Sequence, residues 1–284
     1  MLQESIKSPA KLNLYLHITG KDRFGYHLLD TLVCFLPDLH DVLTIREITN
    51  KNHIFETTGI WASLVTNNIL ASVLELLNPI LDSRKFHIQL KKNIPVGAGL
   101  GGGSSNAYFL LHFLITKYQL NISKTNRLEL CSKLGADVSL FEHKTALYAM
   151  GIGNVITPLL SFPKNIYALI VYPNKCLTTK DVFQNYNANY EEYVLHNYNL
   201  DIKTLLNILN NTKNALYLSS LDFIPELATI LGDLTNLKGC LLARMSGSGS
   251  VSFGLFASIK EIAEAELKFK NQHPNFFITK SRIQ

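Results

Sequence analysis

The sequence predicts a two-domain α/β chain, α+β in its local arrangement. Three observations carry that expectation. The chain has 284 residues, more than a single domain of ~100–200 residues usually holds. Segments of strict apolar/polar alternation, the period of a strand, are interleaved with segments spaced as helices. Finally, Pro95–Ser105, reading PVGAGLGGGSS, joins an alternating segment to a strongly apolar one, which is the form of a strand–loop–helix unit.

The elements follow in order. In AKLNLYLHI, Leu12, Leu14, Leu16 and Ile18 alternate with Lys11, Asn13, Tyr15 and His17. This predicts a strand with one apolar and one polar face, so Lys11 and Asn13 project from the same side, roughly 6.5 Å apart. GKDRFGYH is a turn punctuated by Gly20 and Gly25. Residues 31–36 and 41–48 read as two further strands. Asn67 and Asn68 offer an N-cap to ILASVLELL, a helix limited by Pro79. KFHIQLK alternates as a strand. NAYFLLHFLITKY, apolar nearly all round, predicts a mostly buried helix. Residues 126–134 read as a helix ending at LGAD. Residues 146–150 and 166–172 read as strands, and the Asn/Tyr-rich stretch 185–199 as a surface helix or loop. Residues 240–243 and 251–256 read as strands bracketing a second Gly/Ser loop, MSGSGS. The domain change is expected near 155–165, dividing the chain into 1–160 and 161–284.

Composition narrows the function classes. Hydrophobic residues make up 47% and charged residues 17%, a globular balance rather than a disordered or coiled-coil one. The net charge of +5 is small and its cations are scattered, and no nucleic-acid motif accompanies it. Cys34, Cys131, Cys176 and Cys240 form no C-x-x-C and no zinc-spaced set with His, so reduced, buried thiols are expected. No apolar run approaches the ~18 residues needed to span a bilayer. The start of the chain lacks a signal-peptide core. The expectation is a soluble, cytoplasmic protein without nucleic-acid or membrane partners.

Chemistry concentrates in the glycine run. Glycines let backbone N–H groups approach an anion, and the start of a helix adds its positive dipole end. Gly99, Gly101, Gly102 and Gly103 suit a triphosphate cradle, and Ser104 and Ser105 add hydroxyls for phosphate or Mg²⁺. Three other readings compete: a flexible turn, a dinucleotide loop and a Walker A loop. Gly97, Gly99 and Gly102 formally match G-x-G-x-x-G. However, the preceding strand alternates, and QLNI some 20 residues on supplies no acid for a ribose. A Walker A loop needs a Lys where Gly103 and Ser104 follow Gly102.

Three motifs stand in order: SPAKLNLYLHITG, PVGAGLGGGSSNA and MSGSGSVSFGLF. Together they resemble the three motifs of the GHMP small-molecule kinases (galactose, homoserine, mevalonate and phosphomevalonate). GYH at residues 25–27, DTL at 30–32 and LGADV at 134–138 narrow the resemblance to the branch acting on a cytidine-diphosphate-linked methylerythritol in the non-mevalonate isoprenoid pathway. The resemblance implies a ribosomal-protein-S5-domain-2-like N-terminal domain and a ferredoxin-like C-terminal domain. It also implies ATP with Mg²⁺, and a monomer or weak homodimer. Lys11 and Asp137 are implied as the catalytic pair. For the nucleotide the implied set is Pro95, Val96, Gly97, Ala98, Gly99, Leu100, Gly101, Gly102, Gly103, Ser104 and Ser105, with Asn68 and Lys92 nearby and Ser105 as a metal ligand. Tyr26, His27 and Phe183 are implied for the cytosine, and Asn13 and Thr179 for other substrate contacts. Three departures stand out: Phe24 before GYH, Asn106 and Tyr108 after the serines, and SGSGSV in the third motif. The alternatives are another small-alcohol kinase of this family, a non-catalytic nucleotide- or sugar-binding regulator on the same fold and, behind these, a dinucleotide oxidoreductase.

Overall fold

The computed structural model describes residues 3–187 and 189–284. Its packing divides the chain into two compact units. The first comprises residues up to Ala10, His40–Val96 and Gly101–Glu142. The second comprises Lys11–Leu39, Gly97–Leu100 and His143–Gln284. A single cut near 160 does not reproduce this division, because two long strands, β1 (Glu4–Lys21) and β2 (His27–Ile48), each contribute residues to both units. The sequence reading broke β2 into two strands at Leu36–His40. The backbone nevertheless runs on through Pro37.

In the first unit, β4 (Lys85–Lys91) pairs antiparallel with the C-terminal half of β2, from Val42↔Lys91 to Ile48↔Lys85. β3 (Ile54–Thr58) lies parallel to β4. Helices α1 (Ile69–Leu77), α2 (Gly102–Lys117) and α3 (Lys124–Leu134) pack together. Leu70, Val73, Leu74 and Leu77 give α1 one buried face, while α2 buries most of its length from Ser105 to Leu114, as its all-round apolarity predicts.

In the second unit, the N-terminal half of β2 pairs with β5 (Leu147–Gly151), and β5 with β6 (Val155–Pro158). A separate antiparallel sheet takes the order β10–β7–β9–β8, with β7 (Tyr167–Tyr172), β8 (Leu242–Met245), β9 (Ser252–Phe256) and β10 (Phe277–Arg282). Numbered within that sheet, the order is 4-1-3-2 with helices between strands one and two and between three and four, which is the ferredoxin-like topology. The helices in between are α4 (Thr179–Gln184), α5 (Ile202–Asn210), α6 (Tyr217–Leu221), α7 (Glu226–Thr235) and α8 (Ile259–Gln272). Leu169, Val171, Ile230, Leu234, Phe256, Ile262 and Phe269 form the core under this sheet.

One reading is sharpened and one expectation corrected. The polar face of β1 is not solvated: Lys11, Asn13, Tyr15 and His17 are as buried as the leucines they alternate with. Nor are all the thiols buried, since Cys176 is exposed and Cys240 half-buried. The stretch 185–199 forms no helix or strand among its described residues, and Ala188 lies outside them. Among the described residues no helix is long and apolar enough to cross a membrane.

Candidate active site

In the first unit the site is built around the start of α2. Gly101 caps the helix in the left-handed region, at φ +66°. A Cβ on Gly102 would stand 2.9 Å from Lys92 Nζ and 3.0 Å from Ile94 Cγ2, so a side chain there would press on the buried Lys92–Asp41 pair. A Cβ on Gly103 would meet nothing within 4 Å, so the first turn opens onto free space on that side. Ser104 is half-buried and Ser105 fully buried, and Ser105 Oγ has no hydrogen-bond partner. Lys92 does not point its charge into open space. It is 4% exposed and its Nζ lies 2.6 Å from Asp41 Oδ2. Burial pushes its pKa down, against the pull of Asp41.

Asp41 itself is saturated. It also accepts from Asn93 N at 2.7 Å, Ile94 N at 2.8 Å and Asn106 Nδ2 at 3.0 Å. Asn106 accepts from Ser8 Oγ at 2.5 Å, so its side chain faces the interior rather than the phosphate side. Pro95 is buried and Val96 half-buried at the start of the glycine loop. Asp137 is half-buried just after Gly135, and a Cβ on Gly135 would lie 3.9 Å from Ser104 Oγ. The LGAD turn therefore abuts the beginning of α2. Asn68 occupies the N-cap position of α1 without capping it, its side chain exposed.

In the second unit β1 runs beside the middle of the glycine loop. Lys11 N donates to Leu100 O at 2.9 Å. Lys11 Nζ donates to Asn13 Oδ1 at 2.5 Å, and Asn13 Nδ2 donates to Thr31 Oγ1 at 2.9 Å. Gly99 adopts φ +81°, and a Cβ there would stand 2.4 Å from Ser246 O. Ala98 is buried and its carbonyl accepts from Val251 N at 3.2 Å; Gly97 O accepts from Leu177 N at 3.3 Å. Thr179 opens α4, with its Oγ1 3.1 Å from Ser248 Oγ. Thus Lys11, Asn13, Gly97–Leu100, Thr179 and the third glycine motif assemble in one unit.

The aromatic set is assembled in part. The His27 ring lies 5.1 Å from that of Phe183, and 5.8 Å, edge-on, from that of Tyr186. Burial, then the nearby charge of Lys21, holds the His27 pKa below the ordinary imidazole value. Tyr26 sits exposed at the tip of the β1–β2 turn. Asp22 Oδ1 closes that turn by accepting from Phe24 N and Tyr26 N, each at 2.9 Å, so an Asx-turn holds it with Phe24 at the exposed position before Gly25.

Sequence reasoning missed Asp41, Ser246 and Tyr186. Asp41 sits inside a strand, and Ser246 lies in a loop read as the third family motif with no role assigned to its residues, so neither was singled out. Tyr186 lay in a segment flagged only for composition.

Two family models match the chain. The GHMP kinases N-terminal domain covers residues 67–145, and the GHMP kinases C-terminal model covers 197–275. Such a fold and site define a class of small-molecule phosphotransferases that use ATP. Curated relatives are closer still. The chain is 32% identical over the full length of both proteins to the 4-diphosphocytidyl-2-C-methyl-D-erythritol kinase of Ehrlichia chaffeensis (strain ATCC CRL-10679 / Arkansas). It is 31% identical to that of Agrobacterium fabrum (strain C58 / ATCC 33970), over 97% of this chain and 94% of the other. A crystal structure of 4-(cytidine 5'-diphospho)-2C-methyl-D-erythritol kinase superposes with a TM-score of 0.79 at 25% identity, covering 99% of each chain. The homoserine kinase of Cytophaga hutchinsonii shares the fold, at a TM-score of 0.67 and 15% identity over 99% of this chain and 94% of that one. The chain belongs to the GHMP kinases and, within them, to the 4-diphosphocytidyl-2-C-methyl-D-erythritol kinase family.

Proposed function

We propose that the protein transfers the γ-phosphoryl group of ATP to the 2-hydroxyl of 4-diphosphocytidyl-2-C-methyl-D-erythritol, a step of non-mevalonate isoprenoid synthesis. The observation that favours this alcohol over the others of the family is the aromatic cluster of His27, Phe183 and Tyr186. A flat base gains ~1–3 kcal/mol per aromatic stack. A neutral His27 can both donate to and accept from a base edge. Tyr26, exposed beside His27, completes the set on the substrate side.

Phosphoryl transfer demands positioning and charge stabilisation. Asp137 is the base that accepts the hydroxyl proton as the new O–P bond develops. Lys11, its partner in the catalytic pair, stabilises the transferred phosphoryl. Asn13 orients Lys11 through the 2.5 Å hydrogen bond, and with Thr179 contacts the substrate. The loop from Pro95 to Ser105 holds the phosphates on its backbone N–H groups, open at Gly103. Asn68 lies toward the nucleotide, and Lys92 braces the first turn of α2 from below. The residues present fit Mg²⁺: Ser105 Oγ is a buried hydroxyl without a partner, a hard oxygen of the kind this ion takes alongside water and phosphate oxygens. When bound, Mg²⁺ would neutralise part of the phosphate charge that builds during transfer. The family resemblance also supports a cytoplasmic location and a monomer or weak homodimer. The matches of an N-terminal and a C-terminal family domain, at 67–145 and 197–275, support a division into 1–160 and 161–284.

A coupled ADP-release assay with a panel of alcohols tests the reading. The cytidine-linked methylerythritol should give the highest kcat/KM. Mevalonate or homoserine as the best substrate would reject it.

A further inference from the structure

The third glycine motif, Met245–Ser250, has no charged side chain, and a buried amide spans its first half. Asn214 lies between α5 and α6. Its Nδ2 donates to Met245 O and to Gly247 O, each at 2.8 Å, and its Oδ1 accepts from Leu216 N at 2.9 Å. Three of the four hydrogen-bonding positions of the amide are thus used. The backbone around Asn214 is itself tied to β1: Leu16 N donates to Lys213 O at 3.0 Å, and Ala215 N to Leu16 O at 2.8 Å. Arg244 reinforces this tie. Its guanidinium donates to Leu14 O at 2.8 Å and to Leu209 O and Thr212 O at 2.7 Å each.

The two carbonyls that Asn214 binds flank Ser246. Ser246 Oγ accepts from Asn13 N at 3.1 Å and donates to Gly99 O at 3.3 Å. A Cβ on Gly247 would lie 3.3 Å from Asn13 Oδ1, so this peptide sits against the residue that holds Lys11 Nζ. A planar amide, with two N–H donors on one nitrogen, satisfies both carbonyls at once without bringing a charge into the interior. A hydroxyl has one donor and a carboxylate none.

We infer that Asn214 is a positioning residue for phosphoryl transfer: by fixing the Met245–Gly247 peptide it sets, through Ser246, the spacing between the Lys11–Asn13 strand and the Gly99 segment of the phosphate loop. This rests on the proposed function, because its consequence for turnover presumes that Lys11 and Gly99 act on the transferred group. Asn214 is buried and bonds backbone groups, so it acts through them.

The test compares wild type with Asn214→Ser and Asn214→Ala, alone and combined with Ser246→Ala. Misplacing reacting groups by about 1 Å costs on the order of 10²-fold. Asn214→Ala should therefore lower kcat by that order with KM for both substrates little changed. Asn214→Ser, which keeps one donor and is the better tolerated variant should the alanine fold poorly, should fall between. Combining either with Ser246→Ala should cost less than the product of the two single effects, because both act through one peptide. A lowered melting temperature with wild-type kcat in the folded fraction, or fully multiplicative effects, would overturn the inference.

Amide hydrogen exchange gives a readout independent of turnover. Gly249 N and Val251 N, bonded to Ser246 O and Ala98 O, should exchange faster in the variants while the β7–β9 amides do not. Unchanged protection overturns the inference. A wild-type protein inactive on the cytidine-linked alcohol overturns the proposed function instead, and the exchange result then decides the role of Asn214 alone.

Discussion

Asp41 shows how one carboxylate can set a binding loop from behind. It is fully buried, and Lys92, Asn93, Ile94 and Asn106 all donate to it. The residues between β4 and the glycine loop therefore hang from one side chain. Removing one member of a buried ion pair leaves an uncompensated charge, at a cost of about 3–5 kcal/mol. Asp41→Asn should lower stability by that amount in urea unfolding, and adding Lys92→Met should recover most of it. At Asp137 the expectation is kinetic. General-base help is worth roughly 10²–10⁴-fold, so Asp137→Asn should lower kcat within that range and leave ATP affinity, read by calorimetry, near that of wild type. Unchanged turnover would remove Asp137 from the proposed chemistry.

His27 gives a pH dependence with a definite sign. Its folded pKa is depressed by burial and by Lys21, so below the ordinary imidazole value of about 6.5 the unfolded chain binds the proton more readily than the folded one. The contribution of His27 is therefore complete above about pH 6.5 and is lost as pH falls through the depressed folded value. KM for the cytidine-linked substrate should be flat from neutral pH down past 6.5 and rise only below it. His27→Gln, which does not titrate, should abolish that rise. A rise centred at or above the ordinary imidazole value would contradict the depressed pKa.

At the scale of the element, the glycine loop separates two uses of glycine. Gly99 is required by the fold: φ is +81° and a Cβ would stand 2.4 Å from Ser246 O. Gly103 has an ordinary helical φ and empty space where a Cβ would be. Gly99→Ala should therefore lower the melting temperature as well as ATP affinity, strain in that backbone region costing about 1–3 kcal/mol. Gly103→Ala should keep or raise stability, since Ala is favoured over Gly in a helix by roughly 0.5–1 kcal/mol, yet weaken ATP binding by obstructing the open side of the first turn. Loss of stability in both variants, with ATP affinity intact in Gly103→Ala, would mean that the loop serves only the fold.

This element was also the most legible in the sequence, because a glycine run between a strand and an apolar helix has few uses. The alternation of Leu12, Leu14, Leu16 and Ile18 marked β1 correctly but not the burial of its other face. Period-two patterning tells apolar from polar and cannot tell a solvated polar face from a polar interior such as Lys11–Asn13–Thr31. The pairing of His27 with Phe183 was legible through GYH and the family resemblance. Tyr186 was not, because it reaches His27 from a segment without regular structure. Asn214 and Asp41 were invisible because their partners, distant backbone carbonyls for Asn214 and distant backbone and side-chain donors for Asp41, are recorded by no local pattern.

At the scale of the whole molecule, the interleaving of the units decides what a division at 160 can achieve. The ferredoxin-like sheet β7–β10 lies entirely after residue 161, which suggests a C-terminal piece able to fold alone. Its core argues otherwise. Leu16 and Ile18 of β1 pack among Leu177, Val182, Leu216, Ile224, Leu227 and Met245. The last residue pairs with β2 through both backbone bonds, Phe35 N to Gln284 O at 2.9 Å and Gln284 N to Phe35 O at 3.1 Å. Arg244 spends its guanidinium partly on Leu14 O, and burial lowers its pKa to about 10. A fragment 161–284 would expose the apolar cluster where β1 packs and leave that guanidinium short of a partner inside the core, each a cost of several kcal/mol against a domain stability of about 5–15 kcal/mol. Expressed alone it should show a broad, non-cooperative thermal transition. Mixing it with fragment 1–160 should restore a cooperative one and, with it, kinase activity. A sharp, concentration-independent transition for 161–284 by itself would show that the C-terminal sheet is autonomous and that β1 is a passenger on it.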